Sequence, residues 1–175
     1  MTRIGPVRLA AATGALALLF ALCGCAAIGQ LLGGGGPQRD EETGQVTESG
    51  DVDVFQLKIG DCLNLGENGE LSSAAVVPCT EPHTEEIFHE FEMPEGDWPG
   101  KDAIDQAADE GCYAEFESFV GKAFEDSVLD YVFLAPLEDG WNDPNVKDRL
   151  VQCVIYEPGE GGAKKLTGSL EGAAR

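Results

Sequence analysis

The sequence predicts an α+β domain in which one main amphipathic helix packs on a small mixed or antiparallel sheet, held by two disulfides. Residues 84–93 (TEEIFHEFEM) alternate apolar and polar side chains with the period of a β-strand. Residues 101–120 instead carry apolar side chains at helical spacing. Four cysteines at positions 62, 79, 112 and 153 can form two bridges. A single helix among several strands is typical of a helix that covers one face of a sheet.

Residues 1–24 are predicted to be a signal peptide. Arg3 and Arg8 give a positive start, no acidic residue precedes Asp40, and residues 9–22 form an apolar stretch of fourteen residues. A transmembrane helix needs about 17–25 residues, whereas the apolar core of a signal peptide needs about 7–15. The stretch therefore fits an export signal.

The tetrapeptide Leu22-Cys23-Gly24-Cys25 resembles the lipobox of bacterial lipoproteins. Gly24 provides the small residue required at the cut, and Cys25 provides the sulfur that accepts a diacylglycerol. A two-chain lipid is a stable anchor, so the chain is expected on the extracytoplasmic face of the cell membrane, lipid-anchored through Cys25. The alternative is ordinary secretion after cleavage by the general signal peptidase.

Residues 25–51 are predicted to be a lipidated flexible tether. They contain a glycine run at 33–36 and a polar stretch without hydrophobic periodicity, which cannot bury enough apolar surface to offset the entropy of ordering. A flexible linker of about 25 residues spans roughly 25–30 Å. A strand at Val46 is the alternative, which the composition does not favour. The folded domain is placed at 52–175, a length suited to one domain.

The chain is strongly acidic, with a formal net charge of −21. Removal of the signal peptide, with Arg3 and Arg8, leaves nine basic residues against 32 acidic ones and a net charge of −23. Nucleic-acid binding needs a positive surface, so this partner class is excluded. Direct adhesion to anionic lipid headgroups is disfavoured for the same reason. The acidity by itself is explained by solubility.

Within the domain, the 101–120 helix is flanked by Gly100 and by Gly121, which lies where a C-terminal cap is expected. Its apolar stripe consists of Ile104, Ala108, Cys112, Phe116 and Phe119. The other strands are expected at 52–58, 75–77, 131–135 and 150–156. In the 84–93 strand, one face is assigned Ile87, His89, Phe91 and Met93, and the other Glu86, Phe88, Glu90 and Glu92.

The four domain cysteines are expected to be oxidised, because an exported chain with an even number of cysteines normally forms disulfides. Three pairings are possible, and the sequence alone does not choose among them. Cys62 and Cys79 flank a turn-rich segment, whereas Cys112 lies on the predicted helix and Cys153 on the last long strand. We therefore expect Cys62–Cys79 and Cys112–Cys153.

Several segments resemble the septum formation family, a set of extracytoplasmic domains of high-GC Gram-positive bacteria. The segments are VFQLKIGDCLN (54–64), VVPCTEPHTEEIF (76–88), the helix with FVG (119–121) and LTGSLEG (166–172). The four cysteines match the family's pattern, and the Pro82-His83 pair matches its Pro-His pair. The segment WNDPNVKD (141–148) departs from the family. The resemblance implies a link to septum assembly and implies no catalytic residue.

Histidine chemistry has two candidates, His83 and His89, which would lie roughly 20 Å apart along an extended strand and so could not share a zinc ion. His89 is interpreted as a core histidine bonded to a neighbour, and His83 as a turn residue.

The loop 139–148 fails the EF-hand pattern, because Lys147 occupies a ligand position, and is interpreted as a solvated acidic loop. No metal or other cofactor is expected.

His83, Trp98 and Trp141 are candidates for a partner surface, because exposed aromatic side chains beside prolines and acids often mark such surfaces. The favoured interpretation of the two tryptophans is that both cover core edges. The favoured function is a non-catalytic binding module for an unknown envelope or division protein. A small hydrolase or metal-dependent enzyme using His83 and nearby acids is the second hypothesis, and it requires a cleft at His83. A structural spacer without a specific partner is the third.

Overall fold

The computed structural model describes residues 36–65 and 72–175. The predicted signal peptide, Cys25 and the first part of the predicted tether lie outside the described residues. Six strands form one antiparallel sheet, and their order across it is Gly50–Asp53, Ser73–Val77, Cys62–Asn64, Glu85–Glu92, Leu150–Tyr156 and Asp130–Leu134. The expected α+β class, with one main helix on the sheet, is confirmed.

The bounds of the elements are as follows. The sheet contains β3 Gly50–Asp53, β4 Cys62–Asn64, β5 Ser73–Val77, β6 Glu85–Glu92, β7 Asp130–Leu134 and β8 Leu150–Tyr156. Two short hairpins are β1 Gln38–Arg39 with β2 Val46–Glu48, and β9 Pro158–Gly159 with β10 Gly162–Ala163. The helices are α1 Lys101–Val120 and α2 Glu138–Asn142, and 3₁₀ turns occupy Val54–Gln56 and Phe124–Asp126.

Helix α1 has the predicted bounds and covers one face of the sheet. It ends at Gly121, whose left-handed conformation (φ 79°) favours glycine at this cap. Its buried residues are Ile104, Ala108, Cys112, Phe116 and Val120. Gly111 lets the helix approach β6 closely, because a Cβ there would lie 2.5 Å from a ring carbon of Phe91. Phe119 is only partly buried, since Val120 takes the innermost position of the last turn.

A register shift in β6 changes which residues of the strand share a face of the sheet. The predicted single face for Ile87, His89, Phe91 and Met93 is wrong, because the register shifts between Ile87 and His89. Ile87 packs with Val154 on the face opposite α1, while Phe88, Phe91 and Met93 pack in the cluster beneath α1. His89 is not a core residue either: it is half-buried, and its ring stacks on Phe91 with centroids 5.9 Å apart.

The predicted strand 52–58 is too long. The strand ends at Asp53, whose carboxylate accepts a hydrogen bond of 2.9 Å from the backbone N–H of Phe55 and caps a 3₁₀ turn. The turn carries the chain across the face opposite α1, where Leu57 is buried and its carbonyl accepts from Gln152. Phe55 remains 54% exposed as a result.

The expectation that residues up to 51 form a structureless tether is wrong for residues 36–51. Residues 38–48 form the β1–β2 hairpin, which includes the strand at Val46 that the composition did not favour, and β3 begins at Gly50. Arg39 fastens the hairpin by a bidentate ion pair with the buried carboxylate of Asp61, with one contact of 2.7 Å. The two residues are 22 positions apart in the sequence, so a local pattern of apolar and polar residues does not predict their pairing.

Both expected disulfides are confirmed. Cys62 and Cys79 are bridged with Cα atoms 5.2 Å apart, and Cys112 and Cys153 with Cα atoms 5.5 Å apart. The sequence separations of 17 and 41 residues correspond to about 3 and about 4 kcal/mol of stabilisation by the chain-entropy model. The second bridge joins α1 to β8 and so fixes the helix on the sheet.

The ion pair between Arg39 and Asp61 should measurably stabilise the domain. Replacement by Arg39→Met leaves a buried carboxylate without its cation, and we expect a loss of about 2–3 kcal/mol in the free energy of unfolding. Urea denaturation at pH 7 measures it. The control Lys101→Met breaks the exposed pair with Asp105 and should cost less than about 0.5 kcal/mol. Equal losses in the two variants would show that the hairpin is not held by this pair.

Candidate functional site

His83 is fully buried immediately before β6, where it pairs with the C-terminal segment. Its backbone exchanges two hydrogen bonds with Leu166, of 3.0 and 2.7 Å. Its ring Nδ1 lies 2.8 Å from the carbonyl oxygen of Glu81. A carbonyl can only accept, so Nδ1 carries a proton and donates it to Glu81, whereas Nε2 is buried without a hydrogen-bond partner among the described residues. The assignment of His83 to a turn on a partner surface is therefore wrong.

The buried carboxylates of Glu85 and Glu86 lie at the start of β6, two and three residues after His83. Glu86 accepts hydrogen bonds from the hydroxyl of Ser169 (2.7 Å) and the backbone N–H of Leu170 (2.6 Å). Glu85 accepts from the backbone N–H of Leu65 (2.8 Å) and from the hydroxyl of the adjacent threonine. Burial raises the pKa of both carboxyls, and the hydrogen bonds and the nearby His83 ring oppose this rise without cancelling it.

The sulfurs of Cys62 and Cys79 and an oxygen of Glu86 lie within 4.8 Å of one another. Among the described residues, this is the one group of three such side chains close enough to hold a metal ion. However, the two sulfurs are bonded to each other, so neither is available as the thiolate that a metal requires. The group is structural in the oxidised protein.

The cluster around His83 closes the C-terminal segment over the end of the sheet. His83 binds Leu166, the carbonyl of Cys79 accepts from the N–H of Gly168 (2.6 Å), and Glu86 binds residues 169 and 170. The structure therefore brings His83 together with acids, as the enzyme hypothesis requires. It does so inside the protein, and none of the three grooves found on the described residues is lined by His83, Glu85 or Glu86.

Trp98 and Trp141 are brought together, with ring centroids 5.5 Å apart at 72°. Trp141, on α2, is buried, and its indole N–H donates to the carbonyl of Gly96 (3.0 Å). The guanidinium of Arg149 lies 3.5 Å from the centroid of the Trp141 ring. The assignment of Trp141 to an exposed partner surface is thus wrong, and the loop 139–148 is ordered around this ring rather than simply solvated. Trp98 is half-buried and lines a shallow groove beside Leu137.

A groove lies on the sheet face opposite α1, between the 3₁₀ turn after β3, the end of β7 and helix α2. We call it the Leu137 groove; its volume is about 640 Å³. Apolar side chains supply most of its lining: Val54, Phe55, Phe133, Leu134, Ala135, Leu137 and Leu150. Leu137 and Phe55 are 71% and 54% exposed. Three aspartates, Asp53, Asp139 and Asp148, line it as well.

The electrostatics of the Leu137 groove depend on how each carboxylate is held. Asp53 and Asp139 are exposed, whereas Asp148 is partly buried and accepts from the backbone N–H of Leu150 (3.0 Å). Burial raises the pKa of the Asp148 carboxyl; this hydrogen bond and the adjacent Arg149 lower it to a lesser extent. The groove therefore combines an apolar floor with negative charge at its rim.

Sequence reasoning missed this groove. Phe55 belonged to a predicted strand, and Leu137 to an unassigned connection after Pro136. The one local signal was a large apolar side chain in a connection rich in proline and acids, where burial is not expected. The disulfide cysteines, in contrast, were found from the sequence because covalent chemistry limits their partners.

The fold, the two bridges and the His83 cluster can now be compared with known proteins. The sequence model of the family described as Septum formation matches residues 59–175. The chain belongs to the septum formation family. The match includes the C-terminal segment that binds His83 and Glu86, so the family region covers the whole cluster. No curated protein and no solved structure matches the chain.

The septum formation domain is of the extracytoplasmic type, which agrees with its two disulfides. Within 36–65 and 72–175, no helix has the length and apolar character needed to cross a bilayer.

Glu86 should make the stability of the septum formation domain depend on pH. Its folded pKa is raised above the ordinary 4.5, so the folded state binds more protons and stability falls as pH rises from about 4.5 through the raised value. The Gln side chain of Glu86→Gln stays neutral; its amide oxygen can accept from the backbone N–H of Leu170, and its amide NH2 can donate to the hydroxyl oxygen of Ser169. We expect the variant to lose less stability than the wild type between pH 4 and 8, and each pKa unit corresponds to about 1.4 kcal/mol.

Urea denaturation at several pH values measures this difference, and Glu92→Gln, at the exposed end of the same strand, controls for the loss of one charge. Parallel stability curves for the wild type and Glu86→Gln would show that the buried carboxyl does not titrate in this range.

Proposed function

We propose that this protein is a lipid-anchored surface protein of the bacterial cell membrane whose septum formation domain acts as a non-catalytic binding module in envelope or division-septum assembly. The Leu137 groove is the observation that carries the binding function. Leu137 and Phe55 are large apolar side chains left exposed together on one groove, which is a feature of interaction sites rather than of scattered surface residues.

Anchoring is supported by the signal-like residues 1–24 and by Cys25 in a lipobox-like tetrapeptide. Ten residues separate Cys25 from Gly36 in the sequence, and a chain of that length spans at most about 40 Å. A partner of the anchored domain would thus be bound close to the membrane. Septum and envelope components on the outer face of the cell membrane meet this condition.

A hydrolase or metal-dependent enzyme centred on His83 is the second candidate. The unpartnered Nε2 of His83 beside Glu85 and Glu86 favours it, since a free imidazole lone pair near carboxyls can act as a base. Yet a substrate would have to displace the C-terminal segment to reach this nitrogen. The open apolar groove supports binding more directly than the enclosed histidine supports catalysis.

Lipidation can be tested at the sulfur itself. Mass spectrometry of the mature N-terminus should find diacylated Cys25, and Cys25→Ala should move the protein from the membrane fraction into precursor or soluble forms. Cys23→Ala is the matched control and should leave the protein membrane-bound, because only Cys25 follows a small residue. A mature chain starting at Ile28, or an unchanged distribution of Cys25→Ala, would rule out the anchor.

The binding function can be tested in living cells with a photo-reactive residue at Leu137. We expect a discrete crosslinked adduct at this position, reduced by Phe55→Ser on the opposite wall of the groove. The control position is Val128, which is 58% exposed outside the groove. Equal labelling at both positions would indicate a spacer without a specific partner. Turnover of cell-wall fragments by the purified protein, abolished by His83→Gln in a folded variant, would favour the enzyme.

A further inference from the structure

The Leu137 groove carries negative charge in addition to its apolar lining. Asp53 and Asp139 are exposed lining residues of the groove, and the third lining aspartate, Asp148, is partly buried and accepts a hydrogen bond from the backbone N–H of Leu150. Asp53 uses one carboxylate oxygen to cap the 3₁₀ turn, so its charge is held beside Phe55. Each exposed apolar anchor thus has a fixed carboxylate as a neighbour along the chain: Asp53 for Phe55, and Asp139 for Leu137.

No positive side chain balances these acids among the described residues that line the groove. Lys147 and Arg149 flank Asp148 in the sequence, but neither lines the groove. Arg149 is committed elsewhere: its guanidinium stacks on Trp141 and donates to the carbonyls of Trp141 (3.0 Å) and Asp148 (2.7 Å). The chain as a whole is also strongly acidic, so the groove lies in a negative field.

We infer that the Leu137 groove binds a cationic amphipathic segment of a partner polypeptide, whose apolar side chains contact Phe55 and Leu137 and whose Lys or Arg side chains pair with Asp53 and Asp139. The inference rests on the proposed binding function and names the chemistry of the partner. A segment of this kind matches both properties of the groove, the apolar floor and the unbalanced carboxylates.

Other occupants match only one property. An anionic lipid surface would offer apolar chains, but its headgroups would be repelled by the rim. An acidic polypeptide would face the same repulsion. A purely apolar ligand would cover the floor and leave the rim carboxylates without partners. The cationic segment is the occupant that improves both the apolar and the electrostatic contacts.

Matched variants of the exported full chain, carrying Cys25→Ser so that no lipid contributes, test this inference. The probe is an 18-residue amphipathic Leu/Lys peptide, with a Leu/Glu peptide of equal apolar content and vesicles containing phosphatidylglycerol as comparison ligands. Asp53→Asn with Asp139→Asn removes two charges at the groove. Asp102→Asn with Glu115→Gln removes two exposed charges from α1 and keeps the same net charge.

We expect the groove pair to weaken binding of the Leu/Lys peptide about three- to tenfold more than the α1 pair does. Leu137→Ser should weaken it by about tenfold, and Val128→Ser should leave it unchanged. The Leu/Glu peptide and the vesicles should bind at least tenfold more weakly than the Leu/Lys peptide.

Equal weakening by the two charge pairs would overturn the inference, because binding would then follow net charge and not the groove. Preferential binding of the vesicles would overturn it in favour of a lipid surface. A Leu137 crosslink in cells that survives the groove charge pair would reject the cationic partner while leaving the binding function intact. Loss of crosslinking at Leu137 altogether would reject the binding function itself.

Discussion

The packing of α1 on one face of the central strand pair, β6 and β8, is the constraint on which the rest of the structure depends. The Cys112–Cys153 bridge joins the middle of the helix to the middle of β8, and Gly111 lets the helix approach β6 closely enough to pack against Phe91. Because the single long helix lies on this face, the opposite face must be covered by other elements. The N-terminal segment through Leu57 does so only in part, and the Leu137 groove is the portion left open.

The two faces need apolar side chains from the same strand, and β6 supplies them by the normal alternation of a strand, while its register shift brings Phe88 and Phe91 onto the same face. Ile87 serves the face opposite α1, and Phe88 serves the helix face, where its ring contacts those of Phe116, Phe119 and Tyr131 with centroids 5.8–6.2 Å apart. The same strand carries Glu85 and Glu86 at its other end. The burial of these two carboxylates is unfavourable. It is offset by hydrogen bonds from Leu65 to Glu85 and from Ser169 and Leu170 to Glu86.

The buried His83 cluster and the open groove have different physical roles. His83 and Glu86 use their hydrogen bonds to hold the C-terminal segment, and only Nε2 of His83 is left without a partner among the described residues. The groove has the opposite character, because Phe55, Leu137, Asp53 and Asp139 are exposed in the part of the chain that the structure describes. A binding role is therefore better matched to the groove.

The sequence by itself determined the features that depend on local or covalent chemistry. The bounds of α1 follow from apolar spacing and from Gly121, and the oxidation of the four cysteines follows from their even number in an export-type chain. The sequence favoured the observed pairing of these cysteines but did not exclude the other two. The family was also recognisable from its segments and cysteines. Only the tertiary structure decided which side chains are exposed: it buried His83 and Trp141, exposed Phe55 and Leu137, and ordered the hairpin through Arg39 and Asp61. These outcomes depend on contacts between residues far apart in the chain and on one irregular strand position, and such contacts leave no periodic signal in the sequence.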